Sequence, residues 1–160
     1  MLSISLMVLL ASTGIVTTTV PICIEGYIMD QYCIDRGTLL DNPSVDTLQE
    51  PQKHSLHCLV DVQRCIDSGF TVLLPNPTGH PKYGVAVKLD STGTTFAVEL
   101  ARKIGMSGGC TTCGHPSSNI THGFRATVFG DLSNDQSPPL LKVNTFMKWL
   151  YFLSYFRTIQ

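Results

Sequence analysis

The stretch YGVAVKL, residues Tyr83–Leu89, alternates large apolar residues with small or polar ones. A period of two places alternate side chains on opposite faces of a β-strand, so this stretch predicts a strand with one buried face. Residues 70–74 (FTVLL) and 22–29 (ICIEGYIM) predict two more strands upstream, and residues 124–129 (FRATVF) predict another downstream. Short β-rich segments therefore dominate the chain.

Helical patterns are fewer. Residues 54–68 (HSLHCLVDVQRCIDS) place apolar residues at helical spacing and are followed by Gly69, which suits the end of a helix. Residues 96–104 (FAVELARKI) predict a strand running into a helix. Strands with one or two helices in a short chain predict a β-rich α+β fold. We expect a small antiparallel barrel or curled sheet, similar to the oligonucleotide/oligosaccharide-binding (OB) barrel, with one crossing helix; a sandwich and a ferredoxin-like layer are the alternatives.

The N-terminus has the pattern of a secretory signal peptide. Residues 1–10 are apolar and uncharged, and residues 11–14 are small, as signal peptidase prefers. The run is too short for a spanning helix, which needs about 20 apolar residues. We predict cleavage between residues 14 and 20, a disulfide-stapled β-rich domain over residues 21–132, and a linker with an apolar C-terminal segment over residues 133–160. The predicted location is extracellular.

Export predicts that the cysteines form disulfides. The chain has six cysteines, namely Cys23, Cys33, Cys58, Cys65, Cys110 and Cys113. On a single helix, Cys58 and Cys65 would lie about 10 Å apart along the axis, beyond the ~7 Å that a disulfide allows between Cα atoms. Each is therefore expected to pair with Cys23 or Cys33, and both connectivities stay open.

The other two cysteines, Cys110 and Cys113, are predicted to close a small ring with each other. The triplet Asn119-Ile120-Thr121 fits the acceptor pattern for N-glycosylation, which agrees with export.

Metal binding and thiol redox chemistry are the alternative predictions. His54, His57, Cys58 and Cys65 form one group of suitable zinc ligands, and the Cys110–Cys113 pair with His115 forms a second. Histidines alone, His54 and His57 with His115, are a further metal hypothesis. Secretion argues against both cysteine alternatives, because exported thiols are usually oxidised.

Charge and motifs restrict the function. Lys and Arg number 11 against 12 Asp and Glu, without runs of either sign, so nucleic acid is not a predicted partner. No complete catalytic or cofactor motif is present, and we predict neither an enzyme nor a cofactor. The predicted function is an extracellular binding or matrix protein whose partner is a protein, a glycan or a matrix component. The aromatic-rich residues 140–156 are a candidate surface for self-association or membrane contact.

Three parts of the sequence resemble small exported modules of uncharacterised function. They are residues 25–30 (EGYIMD) with Cys33, residues 57–70 with their two cysteines, and residues 123–128 (GFRATV). The resemblance implies an OB-like barrel built from a strand, a cysteine-bearing helix and a closing strand. It implies no active site.

Overall fold

The fold is a mixed five-stranded sheet with several short helices and one longer helix. The computed structural model describes residues 19–107 and 123–147. In chain order the elements are β1 (Val20–Asp30), α1 (Gln31–Arg36), a 3-10 turn (Pro51–Lys53), α2 (Leu56–Val60), α3 (Gln63–Asp67), β2 (Phe70–Pro75), β3 (Tyr83–Leu89), α4 (Ser91–Ser107), β4 (Arg125–Ser133) and β5 (Leu140–Met147). The predicted β-rich α+β class is confirmed.

Every strand is hydrogen-bonded to two neighbours. β1 is antiparallel to both β2 and β4, β2 is antiparallel to β3, and β4 is antiparallel to β5. β3 and β5 run parallel through a short contact at Lys88–Leu140 and Leu89–Leu141. The sheet is therefore mixed, whereas we had expected an entirely antiparallel one. Residues 140–147, which the sequence analysis assigned to the apolar C-terminal segment, form β5 between β3 and β4.

Two predicted helical segments differ from the structure. Residues 54–68 form α2 and α3 with a break at Asp61 and Val62, so one predicted helix is two. Residues 96–104 are helical throughout, because α4 already begins at Ser91. Asp90 explains this early start, since its carboxylate accepts the Gly93 amide at 2.9 Å and so caps the first turn.

The main core lies between the sheet and helices α2 and α4. Its fully buried members include Ile28, Leu59, Phe70, Val72, Phe124, Val128 and Leu141. A smaller cluster, made by Met29, Cys33, Leu39, Val45 and Leu73, joins β1 to the loop over residues 37–50. The second cluster matters for function because it fixes that loop beside α1.

No helix within residues 19–107 and 123–147 is both long and apolar enough to cross a bilayer.

Candidate metal centre

The site begins where β1 ends. Asp30 is the last residue of β1 and caps α1, since its Oδ1 accepts the backbone amide of Cys33 at 2.8 Å. α1 ends after little more than one turn at Gly37, whose φ of 81° is left-handed. This short, capped helix holds Cys33 fully buried.

Three buried sulfur atoms meet at this point. Cys58 lies on α2 and Cys65 on α3, and both are buried next to Cys33. The three Sγ atoms lie within 4.8 Å of one another. The prediction that Cys58 and Cys65 are too far apart to meet was wrong, because the break between α2 and α3 turns the second helix back towards the first.

The structure contains no disulfide among the four cysteines that it describes. Cys23 is exposed on β1, paired with Phe129 of β4, so the structure does not bring it to either helix cysteine. Cys110, Cys113, His115 and Asn119 lie outside the described residues.

A buried histidine and carboxylate stand beside the sulfurs. His54 Nε2 lies 2.8 Å from Asp30 Oδ2, with both side chains almost completely buried. Burial alone would lower the pKa of His54, but the bond to Asp30 and the neighbouring Cys58 sulfur outweigh it and raise the pKa to about 9. The other ring nitrogen, Nδ1, is buried and has no hydrogen-bond partner among residues 19–107 and 123–147. An unpaired buried nitrogen is costly unless something binds it.

The three thiols do not titrate alike. The pKa of Cys33 is lowered to about 5, mainly by the neighbouring Cys58 thiol and secondly by that of Cys65. The same contacts raise the pKa values of Cys58 and Cys65, because their protons are shared with the Cys33 sulfur. The contacts therefore favour the thiolate at Cys33 and the protonated thiol at Cys58 and Cys65.

A second, more open set shares the sulfur of Cys58. Asp41 Oδ2 is 3.1 Å from His57 Nδ1 and 3.5 Å from Cys58 Sγ, and it also accepts a hydrogen bond from the Ser55 hydroxyl. The side chains are 38% exposed for His57 and 19% for Asp41. Ser55 directly precedes α2 but makes no capping bond with its side chain, and its hydroxyl instead holds Asp41.

The loop that carries Asp41 is anchored to α1. The Thr47 hydroxyl donates to the Cys33 carbonyl at 2.8 Å, and the Thr47 amide donates to the Gly37 carbonyl at 3.2 Å. Thr47 is completely buried. These two bonds return the loop to α1 and leave Asp41 near the start of α2.

The described residues thus offer three overlapping sets of ligand atoms. They are Cys33, Cys58 and Cys65; Asp30, Cys33 and His54; and Asp41, His57 and Cys58. The four residues predicted as an alternative site, His54, His57, Cys58 and Cys65, all fall within these overlapping sets. Cys33, Asp30 and Asp41 belong to the sets as well, and the sequence did not predict them as ligands.

A signal for one missed residue was present in the sequence. Asp30 stands directly after a predicted strand and three residues before Cys33, which is the spacing of a helix cap. Asp41 lies in an irregular loop and carries no comparable pattern.

Comparison of the chain with models of protein families, with curated proteins and with solved structures gave no match. The function therefore has to be argued from the site alone.

Proposed function

We propose that this protein is an exported module that binds one thiophilic metal ion, Zn²⁺ in the first instance, through Cys33, Cys58, Cys65 and His54. The observation that carries the proposal is the mutual proximity of the three sulfur atoms, each within 4.8 Å of the other two. Thiolate and imidazole are the ligands of structural zinc sites, which are usually four-coordinate.

Three sulfurs that all lie within 4.8 Å of one another suit one ion better than they suit a disulfide. Zn–S bonds of about 2.3 Å in a tetrahedral site place the sulfurs about 3.8 Å apart, a spacing that fits within the 4.8 Å limit on the three sulfurs here. A disulfide joins two sulfurs at about 2.05 Å and leaves the third cysteine unused. Three fully buried cysteines in contact are therefore explained more completely by a shared ion.

We assign the fourth position to His54, a ring nitrogen of which lies within 4.8 Å of the Cys33 sulfur. The bond from Nε2 to Asp30 leaves Nδ1 as the free nitrogen, and that atom is buried without a partner. Metal-binding histidines usually donate their second ring N–H to a carboxylate, which fixes the ring and increases its basicity. Asp30 fits that role and caps α1 at the same time.

Export and an OB-like barrel are part of the proposal. The apolar residues 1–10 followed by small residues support a signal peptide. The strand order β1-β2-β3-β5-β4, with β1 paired to both β2 and β4, supports a closed five-stranded barrel of the OB type. In such a barrel the metal centre would join the end of β1 to the helices between β1 and β2.

The competing function is the disulfide-bonded extracellular binding protein predicted from the sequence. It is favoured by the six cysteines downstream of the leader, because thiols in an oxidising compartment usually pair. The two functions differ in the state of Cys33, Cys58 and Cys65, which can be measured directly.

The test is native mass spectrometry of the full chain, secreted by a eukaryotic host and equilibrated with Zn²⁺, together with thiol alkylation before and after denaturation. We expect one tightly held Zn²⁺ and no disulfide among Cys33, Cys58 and Cys65. The variant C65S should lose the ion, while C23S, which alters an exposed cysteine, should keep it. The double variant C110S/C113S should also keep it, which separates this site from the other cysteine pair.

Co²⁺ gives a second readout that does not depend on mass. Thiolate-to-cobalt charge-transfer absorption should appear in wild type and C23S, and should weaken in C33S, C58S and C65S. A disulfide between any two of the three cysteines in Zn²⁺-equilibrated protein, or an ion that survives C58S and C65S alike, would overturn the proposal.

A further inference from the structure

We infer that Asp41 and His57, together with Cys58, form an acquisition site where the ion first binds before it passes to the buried ligands. This inference rests on the proposed function and adds how the buried site is filled. The observation behind it is that two candidate ligand sets share one sulfur, one set being buried and the other reaching the surface.

The buried set is closed to solvent. Cys33, Cys58, Cys65 and His54 are each at most 1% exposed, so an ion cannot reach them from water in one step. Of the three ligand sets among residues 19–107 and 123–147, the set with Asp41 and His57 has members at the surface. An incoming hydrated ion would meet these two side chains first.

The geometry of the outer set suits a transient ligand group. A carboxylate oxygen, an imidazole nitrogen and the Cys58 sulfur lie within 4.8 Å of one another. Ser55 holds Asp41 through its hydroxyl, so the carboxylate is oriented before an ion arrives. The Lys82 ammonium, which could compete for a carboxylate of this loop, is bound to Asp46 at 2.7 Å.

The ligand types give the transfer a direction. The outer set offers one sulfur, one nitrogen and one oxygen, whereas the inner set offers three sulfurs and one nitrogen. Because thiolates bind Zn²⁺ and Cu⁺ more strongly than carboxylates do, an ion exchanging Asp41 and His57 for Cys33, Cys65 and His54 moves to the stronger site. Cys58 stays bound throughout, and the protons released by the ligands pass to solvent.

A purely structural role for the Asp41, Ser55 and His57 network makes a different prediction. If the network only holds the loop over residues 37–50, its loss would lower the free energy of unfolding and the equilibrium metal affinity together. An acquisition role affects the rate of loading and leaves both equilibrium quantities nearly unchanged. Rate and affinity therefore separate the two roles.

The experiment is stopped-flow loading of the full, reduced chain with Zn²⁺ delivered from a chromophoric chelator. H57Q and D41N should each load about tenfold more slowly or slower still, with equilibrium Zn²⁺ affinity within about twofold of wild type. The matched controls are H80Q, an exposed histidine between β2 and β3, and D35N, an exposed carboxylate on α1. Both controls should load at the wild-type rate.

The outcomes distinguish this inference from the proposed function. If the wild type binds no Zn²⁺, the proposed function fails and the acquisition site fails with it. If the wild type binds Zn²⁺ while H57Q and D41N load at its rate, only the acquisition site is overturned. Loss of affinity equal to the loss of rate would also overturn it. Should D41N unfold, D41E and H57Q give the same comparison, because each alters one ligand and keeps the other.

Discussion

His54 Nε2 and Asp30 Oδ2 lie 2.8 Å apart with both side chains buried, so the end of β1 and the segment between the 3-10 turn and α2 are joined by a charge-assisted bond. The same carboxylate caps α1 through the Cys33 amide. One aspartate thus fixes both the first cysteine of the cluster and the histidine beside it. Metal binding, pH dependence and local structure should all depend on this pair.

The metal-free protein should lose stability at alkaline pH through His54. Its pKa is raised from 6.5 to about 9 in the folded state, so protonated His54 stabilises the fold fully below pH 6.5, and this stabilisation is lost as pH rises through about 9. The difference in free energy of unfolding between wild type and H54Q should therefore be largest below pH 6.5, with an upper limit of about 3 kcal/mol, and should shrink towards pH 9.

Urea unfolding in chelator and reductant between pH 5.5 and 9.5 measures this difference. Titration of Cys33 acts in the opposite sense, since its pKa is lowered to about 5, but it is present in both proteins and largely cancels from the comparison. H80Q is the matched control and should follow wild type. A wild-type advantage over H54Q that is constant with pH would contradict the prediction.

Zn²⁺ binding at pH 7 should release about three protons, because all four ligands must be deprotonated to bind. The lowered pKa of Cys33 favours its thiolate, whereas the raised pKa values of Cys58, Cys65 and His54 favour their protonated forms. Isothermal titration calorimetry in buffers of different ionisation enthalpy gives the number, and H54Q should release about one fewer. Equal release by wild type and H54Q would show that His54 is not a ligand.

Chelation should destabilise the protein. An ion held at a free concentration 100 times its Kd stabilises the folded state by about 2.7 kcal/mol, which for a domain of this size raises Tm by about 10 °C. Thermal unfolding of reduced wild type with Zn²⁺ and with excess chelator should show that difference. C110S/C113S should respond as wild type does, and C58S should not respond. A response that disappears in C110S/C113S would place the ion elsewhere.

Gly26 should be irreplaceable in β1. A Cβ there would lie 2.7 Å from Val72 Cγ1 and would also overlap the Leu73 carbonyl of β2. We expect G26A to lower the free energy of unfolding by about 2 to 3 kcal/mol through overpacking. The matched control is G84A on β3, where a Cβ meets no atom within 4 Å. Equal urea midpoints for the two variants would contradict the close approach of β1 to β2.

Export and glycosylation can be checked together. Protein collected from the medium of a eukaryotic host should begin between residues 15 and 21, and N119Q should remove a glycan-sized mass. N134Q, which lacks the acceptor pattern because Asp135 is followed by Gln136, is the control. An intracellular product that still carries residues 1–14 would refute the signal peptide.

Local patterns allowed part of the fold to be predicted. The alternation in Tyr83–Leu89 predicted β3 with its observed bounds, and Gly69, with a φ of 76°, ends α3 as expected. The parallel contact of β3 with β5 could not be predicted, because strand partners are chosen by the packing of distant segments. The start of α4 was predicted wrongly, because Asp90 caps a helix that begins at Ser91, five residues before the predicted segment 96–104.

Part of the candidate site could be predicted from the sequence. Spacing grouped His54, His57, Cys58 and Cys65, but placing both cysteines on one helix separated them by about 10 Å. The helix break at Asp61 and Val62 has no glycine or proline to indicate it. The two helices pack against different neighbours, α2 against α4 and β1 and α3 against α1. A local sequence pattern does not contain this information.

That break means that two residues outside the three ligand sets, Asp61 and Val62, decide whether the sulfurs can meet. If residues 56–67 formed one continuous helix, Cys58 and Cys65 would move apart. The three sulfur atoms would then no longer meet, although the sequence would still contain all three cysteines. The proposed metal coordination thus depends on the backbone conformation at Asp61 and Val62. A search for related chains should weigh the interruption of this helix as heavily as the cysteines themselves.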